Sequence, residues 1–373
     1  MNFDLSEDQQ LLKNGVERFI ADRCDFESRR KRLAAQSGTD REMWSQFAEM
    51  GWLAILVPEA AGGMGWSMIE AAVILEEFGR GLVTEPYLEG ALVAPRLLAG
   101  TDAAVADELL GAIASGEELI VPALLEARGR YEFRAPRVEA KSNGGGFTLS
   151  GRKILVAGGD AADRYLVTAL LDGKLAIFHL TAETAGLSRR SYRLLDGSWA
   201  ADLDLDDVQL APDALLASAE GAAELLERVC DEASVGVAAL EVGSCEQAVA
   251  LTAEYLETRK QFGQPLADFQ VLQHRMADLF IEAAMAKSSL YGALSTLSGP
   301  SEARQAAVSR ARARIDRAAL EIGNTAIHLH GGMGMTVEYP VGHYYRRMVQ
   351  LARTFGDREY HLDRYERLCP MEA

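Results

Sequence analysis

The sequence predicts an α+β protein in which a helical segment, a β-rich segment and a second helical segment follow one another. Three observations predict this order. Apolar residues recur with helical spacing at the start of the chain, short apolar runs separated by glycine, asparagine and aspartate occupy the middle, and long helical patterns return afterwards. We therefore expect three domains, at residues 1–118, 119–216 and 217–373.

The N-terminal segment is predicted to open with a helix. Ser6 and Gln9 have the spacing of a capping box, in which each side chain binds the other residue's backbone N–H. The apolar residues predicted to share one face of this helix are Leu11, Leu12, Val16, Phe19 and Ile20. A glycine-containing turn at 58–67 precedes a second helical pattern, which Gly79 and Gly81 are expected to end.

The middle segment is predicted to form an antiparallel β structure. Its clearest signal is "LVTALLDGKLAIFHL", where Asp172 and Gly173 separate two apolar runs and predict a tight hairpin. The spacing of the runs is typical of a barrel or a sandwich, and we predict an antiparallel β-barrel domain.

The C-terminal segment is predicted to be a four-helix bundle. Four helical patterns, at 222–260, 268–294, 302–330 and 341–353, are separated by short stretches rich in glycine and proline. Long helices with short connections favour an up-down bundle.

Composition excludes several classes of protein. The formal net charge of −17 disfavours binding to nucleic acid or to an anionic membrane surface, because both carry the same sign of charge. No apolar run approaches the ~20 residues that span a bilayer, and the acidic start "MNFDLSEDQQ" lacks the apolar core of a signal peptide. We expect a cytoplasmic protein. The four cysteines, Cys24, Cys230, Cys245 and Cys369, are scattered and are expected to be ordinary thiols.

Three stretches resemble the acyl-CoA dehydrogenase family: "YLETRKQFGQPLADFQVLQHRMADLF" (255–280), "HLHGGMGMTVEYPVGHYYRR" (328–347) and, more weakly, "PEAAGGMGWS" (58–67). The resemblance covers essentially the whole chain and is greatest to the small subunit of bacterial two-component enzymes, of the pimeloyl-CoA or steroid side-chain type. It implies FAD bound between subunits and removal of two hydrogens across Cα–Cβ of an acyl-CoA thioester. A carboxylate takes the α-proton, the flavin accepts the hydride, and an electron-transfer flavoprotein takes the electrons.

The resemblance implies that this chain contacts the adenine end of a neighbouring subunit's FAD. The matching positions are Arg259, Phe262, Gln270, His328, Gly331 and Gly332, with His328 standing where the family usually has glutamine. A guanidinium suits pyrophosphate, an aromatic ring suits adenine, and glycines let backbone N–H groups approach. The alternative interpretation makes Arg259 a surface cation, Phe262 a core residue and the glycines a helix stop. His328 and His330 point to different helix faces, so we expect no metal site.

The positions that contact the flavin ring in the family carry hydrocarbon side chains here. Leucines occupy 124 and 125, where the family has a threonine before a Glu-Pro turn, and no proline follows Glu126. Leu155 and Ala157 stand at the family's tryptophan and threonine positions. Both changes remove hydrogen bonds and ring contact, so the β domain is expected to lack flavin-binding chemistry.

The usual catalytic glutamate of the family falls on Phe355, and a phenyl ring cannot accept a proton. The alternative base position falls on Ala233, and the nearby arginine position on Ser234. We therefore assign no catalytic residue in this chain. Carboxylates that could replace the base are Glu232, Glu241 and Asp357, with Glu241 as the fallback candidate, although a structural role is favoured for each. Asp357 stands where a hydroxyl residue contacts the cofactor, and Glu359 and His361 are expected at the surface or at a subunit contact.

Three hypotheses follow. In the first, the chain is the non-catalytic subunit of an α2β2 heterotetramer with a second acyl-CoA dehydrogenase subunit, and holds the adenine end of its partner's FAD. In the second, it is a homotetrameric enzyme whose base has moved. In the third, it is a non-enzymatic scaffold that keeps the fold.

Overall fold

A computed structural model describes residues 5–35 and 38–370. These residues form two compact units. One comprises the described parts of 1–35, 72–84 and 234–373, and the other the described parts of 36–71 and 85–233. The division into three consecutive domains stays a prediction.

Helices dominate the first unit and flank the sheet in the second. The helices of the described residues are α1 (Glu7–Arg23), α2 (Phe26–Ala35), α3 (Arg41–Glu49), α4 (Met68–Arg80), α5 (Ala94–Ala99), α6 (Ala106–Ser115), α7 (Ala219–Thr258), α8 (Gln270–Leu294), α9 (Ser301–His330), α10 (Val341–Leu351) and α11 (Arg358–Leu368). The capping box predicted for α1 is confirmed: the Ser6 and Gln9 side chains each bind the other's backbone. Val16 is buried as expected, but Leu11 is 68% exposed and does not belong to the buried face.

Close contact between α4 and α7 explains two of the glycines. A Cβ on Gly79 would lie 2.0 Å from the Leu240 carbonyl oxygen, and a Cβ on Gly243 would lie 1.8 Å from the Glu76 carbonyl oxygen. Any side chain at either position would separate the two helices. The prediction that Gly79 ends the helix is wrong, because α4 continues to Arg80 and Gly79 serves the crossing.

The C-terminal part contains one helix more than predicted. The structure confirms α7 to α10 to within three residues at each end, but α11 adds a fifth helix to the described residues of 217–373. Asp357 begins α11, since its carboxylate accepts a hydrogen bond from the Tyr360 backbone N–H at 2.9 Å. The four-helix bundle is therefore corrected to a five-helix assembly.

The β-rich segment forms one eight-stranded sheet. Its strands are β1 (Ile120–Ala123), β2 (Glu139–Ser142), β3 (Phe147–Ala157), β4 (Arg164–Leu171), β5 (Lys174–Thr181), β6 (Leu187–Arg193), β7 (Trp199–Leu210) and β8 (Leu215–Ser218). They pair in the order β6-β7-β3-β2-β4-β5-β8, with β1 also beside β4. A separate two-stranded ribbon joins β9 (Lys260–Gln261) and β10 (Gln264–Pro265).

The predicted closed antiparallel barrel is not formed. Within the described residues, β6 and β8 end the sheet without pairing with each other, and β1 and β2 both pair with β4 in parallel. Strand β4 is buried along most of its length, as in strands covered on both faces. A strand of an antiparallel sheet with one face in solvent would instead alternate buried and exposed residues. The predicted hairpin is confirmed: Asp172 and Gly173 have φ of 52° and 75° and join β4 to β5.

Candidate functional site

The turn after α7 presents an aromatic ring to solvent. Phe262 and Gly263 have φ of 56° and 86°, the left-handed values of a tight two-residue turn between β9 and β10. The Phe262 side chain is 93% exposed. Its ring is nearly perpendicular to the Phe269 ring, and the two ring centroids are 6.2 Å apart. The interpretation of Phe262 as a core residue is wrong. An aromatic ring this exposed is available to stack on a partner molecule.

Two polar side chains beside this turn are also free. The Arg259 backbone is fixed, because its N–H donates to Tyr255 O and its carbonyl accepts from Leu266 N, each at 2.8 Å. Its guanidinium is exposed and forms no ion pair or hydrogen bond with the part of the chain that the structure describes. Gln270 is exposed at the first position of α8, which has no side-chain cap. A helix N-terminus and an unpaired guanidinium both favour an anion.

The glycine loop after α9 is held close to this turn. Tyr255, in the last turn of α7, stacks on the His330 ring at 4.4 Å and lies within 3.3 Å of the His330 carbonyl oxygen. His328 is exposed. Gly331 has φ of 58°, and no atom lies within 4 Å of a Cβ built on Gly331 or Gly332. The loop backbone is therefore open to a ligand.

The positions matched to the flavin-ring contacts present hydrocarbon. Leu125 is half-buried, and Leu155 is 44% exposed. Leu155 has φ of 53° and lies where the register between β3 and β7 shifts. Its N–H lies 3.2 Å from Tyr192 Oη and 3.3 Å from Asp202 Oδ1. The backbone at this position is held firmly, but its side chain offers no hydrogen bond.

A buried ion pair supports the same region and was missed by the sequence analysis. Lys153 is fully buried, and its Nζ donates to Glu126 Oε1 at 2.6 Å and to Thr168 Oγ1 at 3.0 Å. Burial lowers the pKa of Lys153 to about 8, although Glu126 acts in the opposite direction. Glu126 also accepts hydrogen bonds from the backbone N–H groups of Arg137 and Val138. The signal in the sequence was a lysine inside an apolar strand.

The loop that carries the family's base position holds a phenyl ring in strained backbone. Phe355 and Gly356 have φ of 56° and 120°. The Phe355 side chain is half-buried, and its carbonyl accepts a hydrogen bond from Ser234 Oγ at 3.4 Å. Ala233, the alternative base position, is fully buried. Neither position offers a proton acceptor.

Two of the replacement carboxylates have structural partners. Glu232 is 3% exposed and accepts two hydrogen bonds from Arg96, both at 2.7 Å. Asp357 caps α11. Each carboxylate is therefore engaged in holding helices, as the structural interpretation predicted.

The third carboxylate, Glu241, lies in a buried charge cluster. We call Glu241, Arg312 and Asp316 the α9 charge cluster; each is fully buried. Arg312 Nη1 lies 3.9 Å from Glu241 Oε2, and Arg312 Nη2 lies 3.1 Å from Asp316 Oδ1. Burial, and then the nearby Asp316 charge, raise the pKa of Glu241 well above its ordinary value. Burial raises the pKa of Asp316 to about 6.

The predicted location of His361 is wrong. It was expected at the surface or at a subunit contact, but it is fully buried and packs against Gly356, where a Cβ would lie 2.6 Å from its Nε2. Burial, with the Arg312 charge, lowers its pKa well below the ordinary value, so the ring is neutral. Glu359 is exposed, as expected.

Two classes of site are absent from the described residues. No group of three or more histidine, cysteine, aspartate or glutamate side chains could hold a metal ion. No helix among those residues combines the length and the apolar character needed to cross a bilayer. Among the described residues, Cys24, Cys230, Cys245 and Cys369 form no disulfide bond.

Family descriptions match both ends of the chain. Residues 6–117 match the acyl-CoA dehydrogenase N-terminal domain, and residues 221–367 match the C-terminal domain. Among curated proteins of Mycobacterium tuberculosis, acyl-CoA dehydrogenase FadE27 is 27% identical over 95% of each chain. Acyl-CoA dehydrogenase IpdE2 is 29% identical over 91% of each chain.

Solved structures match over the full length. The structure described as the Tcur3481-Tcur3483 steroid ACAD, in a variant form, is 30% identical over 97% of each chain, with a TM-score of 0.88. The ChsE4-ChsE5 complex from Mycobacterium tuberculosis is 26% identical over 100% of each chain, with a TM-score of 0.90.

Proposed function

Because the chain belongs to the acyl-CoA dehydrogenase family of FAD-dependent oxidoreductases, we propose that it is the non-catalytic subunit of a two-component enzyme of that family. A second, larger subunit supplies the flavin-ring contacts and the base, and this chain holds the adenine end of the partner's FAD. The observation that carries the proposal is Phe355, a half-buried phenyl ring at the position that the resemblance matches to the family's base.

The residues at the adenine end fit a nucleotide tail. An exposed guanidinium at Arg259, an exposed ring at Phe262 and the open backbone of Gly331 and Gly332 face outward rather than into this chain. We propose that Arg259 pairs with the pyrophosphate, that Phe262 stacks on adenine, and that Gln270 and the glycine loop add hydrogen bonds. His328 takes the place of the family's glutamine.

The residues at the ring end do not fit an isoalloxazine. Leu125, Leu155 and Ala157 offer no donor to the ring's polar edge, and Leu155 is held in position by its backbone. In this proposal, the β sheet of this chain does not hold the flavin ring that accepts the hydride. When bound, FAD supplies the hydride acceptor; this chain binds and orients its tail, and the partner's carboxylate takes the α-proton.

An exposed apolar face supports contact with a partner subunit. Val271, Phe280, Ile281 and Met285 on α8 are 65%, 68%, 57% and 50% exposed. The neighbouring helix α9 instead exposes charged residues such as Arg310, Arg317 and Glu321. Val271, Ile281 and Met285 lie within ~80° of one another around the helix axis, and exposed apolar side chains grouped on one helix face mark an interaction surface. We propose that α8 packs against another subunit of the complex.

Two relatives support a proposal for the substrate class. The Tcur3481-Tcur3483 relative is described as a steroid ACAD, and the ChsE4-ChsE5 structure is a complex of two different proteins. We propose that the complex of this chain oxidises steroid side-chain or similar acyl-CoA thioesters and passes electrons to an electron-transfer flavoprotein.

Flavin counting tests the proposal. The chain co-expressed with a second dehydrogenase subunit, such as one encoded by a neighbouring gene, should co-purify as an α2β2 complex with two FAD. The isolated chain should be colourless. Four flavins per tetramer would overturn the arrangement. A yellow isolated chain that reduces an acceptor dye with an acyl-CoA would instead support a homotetramer with a relocated base.

A further inference from the structure

The α9 charge cluster lies directly against the loop 351–357, which carries Phe355. Arg312 Nη2 donates to three backbone carbonyls of this loop, those of Leu351, Thr354 and Gly356, at 3.3, 3.3 and 3.2 Å. One guanidinium therefore binds both the C-terminal end of α10 and the turn that follows it.

The loop needs this support because its backbone is strained. A φ of 56° is uncommon for a residue with a bulky side chain such as Phe355. Such a conformation persists where the surrounding structure imposes it. Arg312 holds the loop from one side, and His361 packs against Gly356. The neutral His361 ring adds no charge of its own to compete with Arg312.

Two carboxyls lie close enough to Arg312 to act as its counter-ion. Its two nearest carboxyls are Asp316 at 3.1 Å and Glu241 at 3.9 Å. Both carboxyls lie close to the guanidinium, and they also interact with each other. Two carboxyls that interact in this way titrate as a pair, so either one can carry the negative charge.

The protonation of the pair agrees with one shared negative charge. Because both carboxyls are buried, the pKa of Glu241 is raised well above its ordinary value and that of Asp316 to about 6, so both hold a proton more readily than exposed carboxyls do. One proton held between them would leave one anion to face the one cation. The other titratable or charged groups around the cluster are Cys245 on α7, Asp357 at the start of α11, and His361 and Arg364 on α11.

We propose that Arg312 is the positioning residue that fixes the loop 351–357, and that Glu241 and Asp316 are interchangeable counter-ions for it. Either carboxyl suffices to balance the buried guanidinium. Loss of both leaves an uncompensated buried charge. The proposal is independent of whether the chain works alone or with a partner, because every group in it belongs to this chain.

Paired carboxamide variants test the interchange. Glu241→Gln and Asp316→Asn, made in the full chain with any partner that co-purifies, should each lower Tm by less than about 3 °C, whereas the double variant should lose ~10 °C or more. Glu282→Gln is the matched control, since Glu282 pairs with Arg314 at the more accessible side of α9. Additive single effects would overturn the interchange.

A triple variant separates positioning from charge balance. Replacing Arg312 by Met in the double variant removes the buried charge and should restore most of the lost Tm. The loop 351–357 should nevertheless exchange its amide hydrogens about tenfold faster than in the native chain, while the β sheet is unchanged. Native exchange rates in the triple variant would show that Arg312 does not position the loop, and would overturn the proposal. The same measurement on Glu282→Gln should show native rates.

The pH dependence gives a second, independent readout. An acid whose folded pKa is raised keeps more protons in the folded state than in the unfolded state, so its contribution to stability falls as pH rises between the two values. For the pKa of Asp316 that window runs from the ordinary value of 3.8 to about 6. Stability of Asp316→Asn relative to native should therefore improve with rising pH across this window. A pH-independent difference would contradict the assigned protonation.

Discussion

The turn at 259–262 and the loop at 351–357 make opposite use of similar backbone geometry. Both carry a phenylalanine at φ 56°. Phe262 is 93% exposed beside a guanidinium that has no partner among the described residues, whereas Phe355 is half-buried in a loop that Arg312 holds by three carbonyls. The first leaves its chemistry open to another molecule. The second carries a phenyl ring at the position that the resemblance matches to the family's base.

The region around Leu155 resembles the loop at 351–357 rather than the turn at 259–262. Its ion pair, Lys153 with Glu126, is intact and buried, yet the side chains that would meet a flavin ring are hydrocarbon. The comparison teaches that retained support is weak evidence for retained chemistry. Outward-facing polar groups without a partner among the described residues are better evidence for binding. Polar groups that serve only the fold usually have a hydrogen-bond partner within it.

The largest expected effect comes from breaking the scaffold. Glu126→Ala leaves the Lys153 ammonium and two backbone N–H groups buried without their acceptor, so the free energy of unfolding should fall by about 3–5 kcal/mol. Urea unfolding of the purified chain measures it. Glu139→Ala is the control, because Glu139 and its partner Lys141 are both exposed, and it should change stability by less than ~0.5 kcal/mol.

If Glu126→Ala does not fold, Glu126→Gln combined with Lys153→Met removes both charges and should recover much of the loss. A Glu126→Ala variant with native stability would show that the ion pair does not support this region.

An intermediate effect is expected at the open turn. Arg259→Ala removes a charge-assisted contact to the proposed pyrophosphate and should weaken FAD binding by the complex by ~1.5–3 kcal/mol, or about 10–150-fold. Fluorescence titration of the apo complex with FAD measures this, and Tm should stay native because the guanidinium touches nothing else described.

Arg310→Ala is the matched control for Arg259, since Arg310 is equally exposed but lies on α9 away from the turn in sequence. Unchanged FAD affinity in Arg259→Ala would remove the adenine-end assignment.

The smallest effect is expected at Leu155. Glycine accepts φ of 53° without strain, so Leu155→Gly should raise stability by up to about 1 kcal/mol. Flavin content should not change, because Leu155 contributes no ring contact. Leu195→Gly is the control: Leu195 is also exposed, at 54%, but does not have positive φ, so glycine there should destabilise. Destabilisation by Leu155→Gly would mean that its exposed side chain has a partner.

The sequence predicted the local elements better than their assembly. The α1 capping box, the Asp172–Gly173 hairpin and the bounds of α8 and α9 follow from short-range patterns, and each is confirmed. The barrel was wrong because parallel pairing of β1 and β2 with β4 joins strands that are distant in sequence. Helix α11 was missed because the stretch was interpreted through the emptied base position.

The proposed site stays a prediction, and the sequence indicates it where it depends on single residues. The absence of a carboxylate at 355 and 233 is visible in the sequence, and so is the arginine at 259. The α9 charge cluster was not visible, because Glu241 and Arg312 are far apart in the chain and burial decides their protonation. His361 was misplaced for the same reason: its burial depends on packing against Gly356 and α9.

Arg312 holds the loop at 351–357 through three backbone carbonyls, and this has a practical consequence. These hydrogen bonds use no side chain of the loop, so they remain available whichever residue stands at position 355. A saturation library at that position would vary the side chain while this support is kept, and the variant Phe355→Glu would test whether a carboxylate there is enough to supply the base.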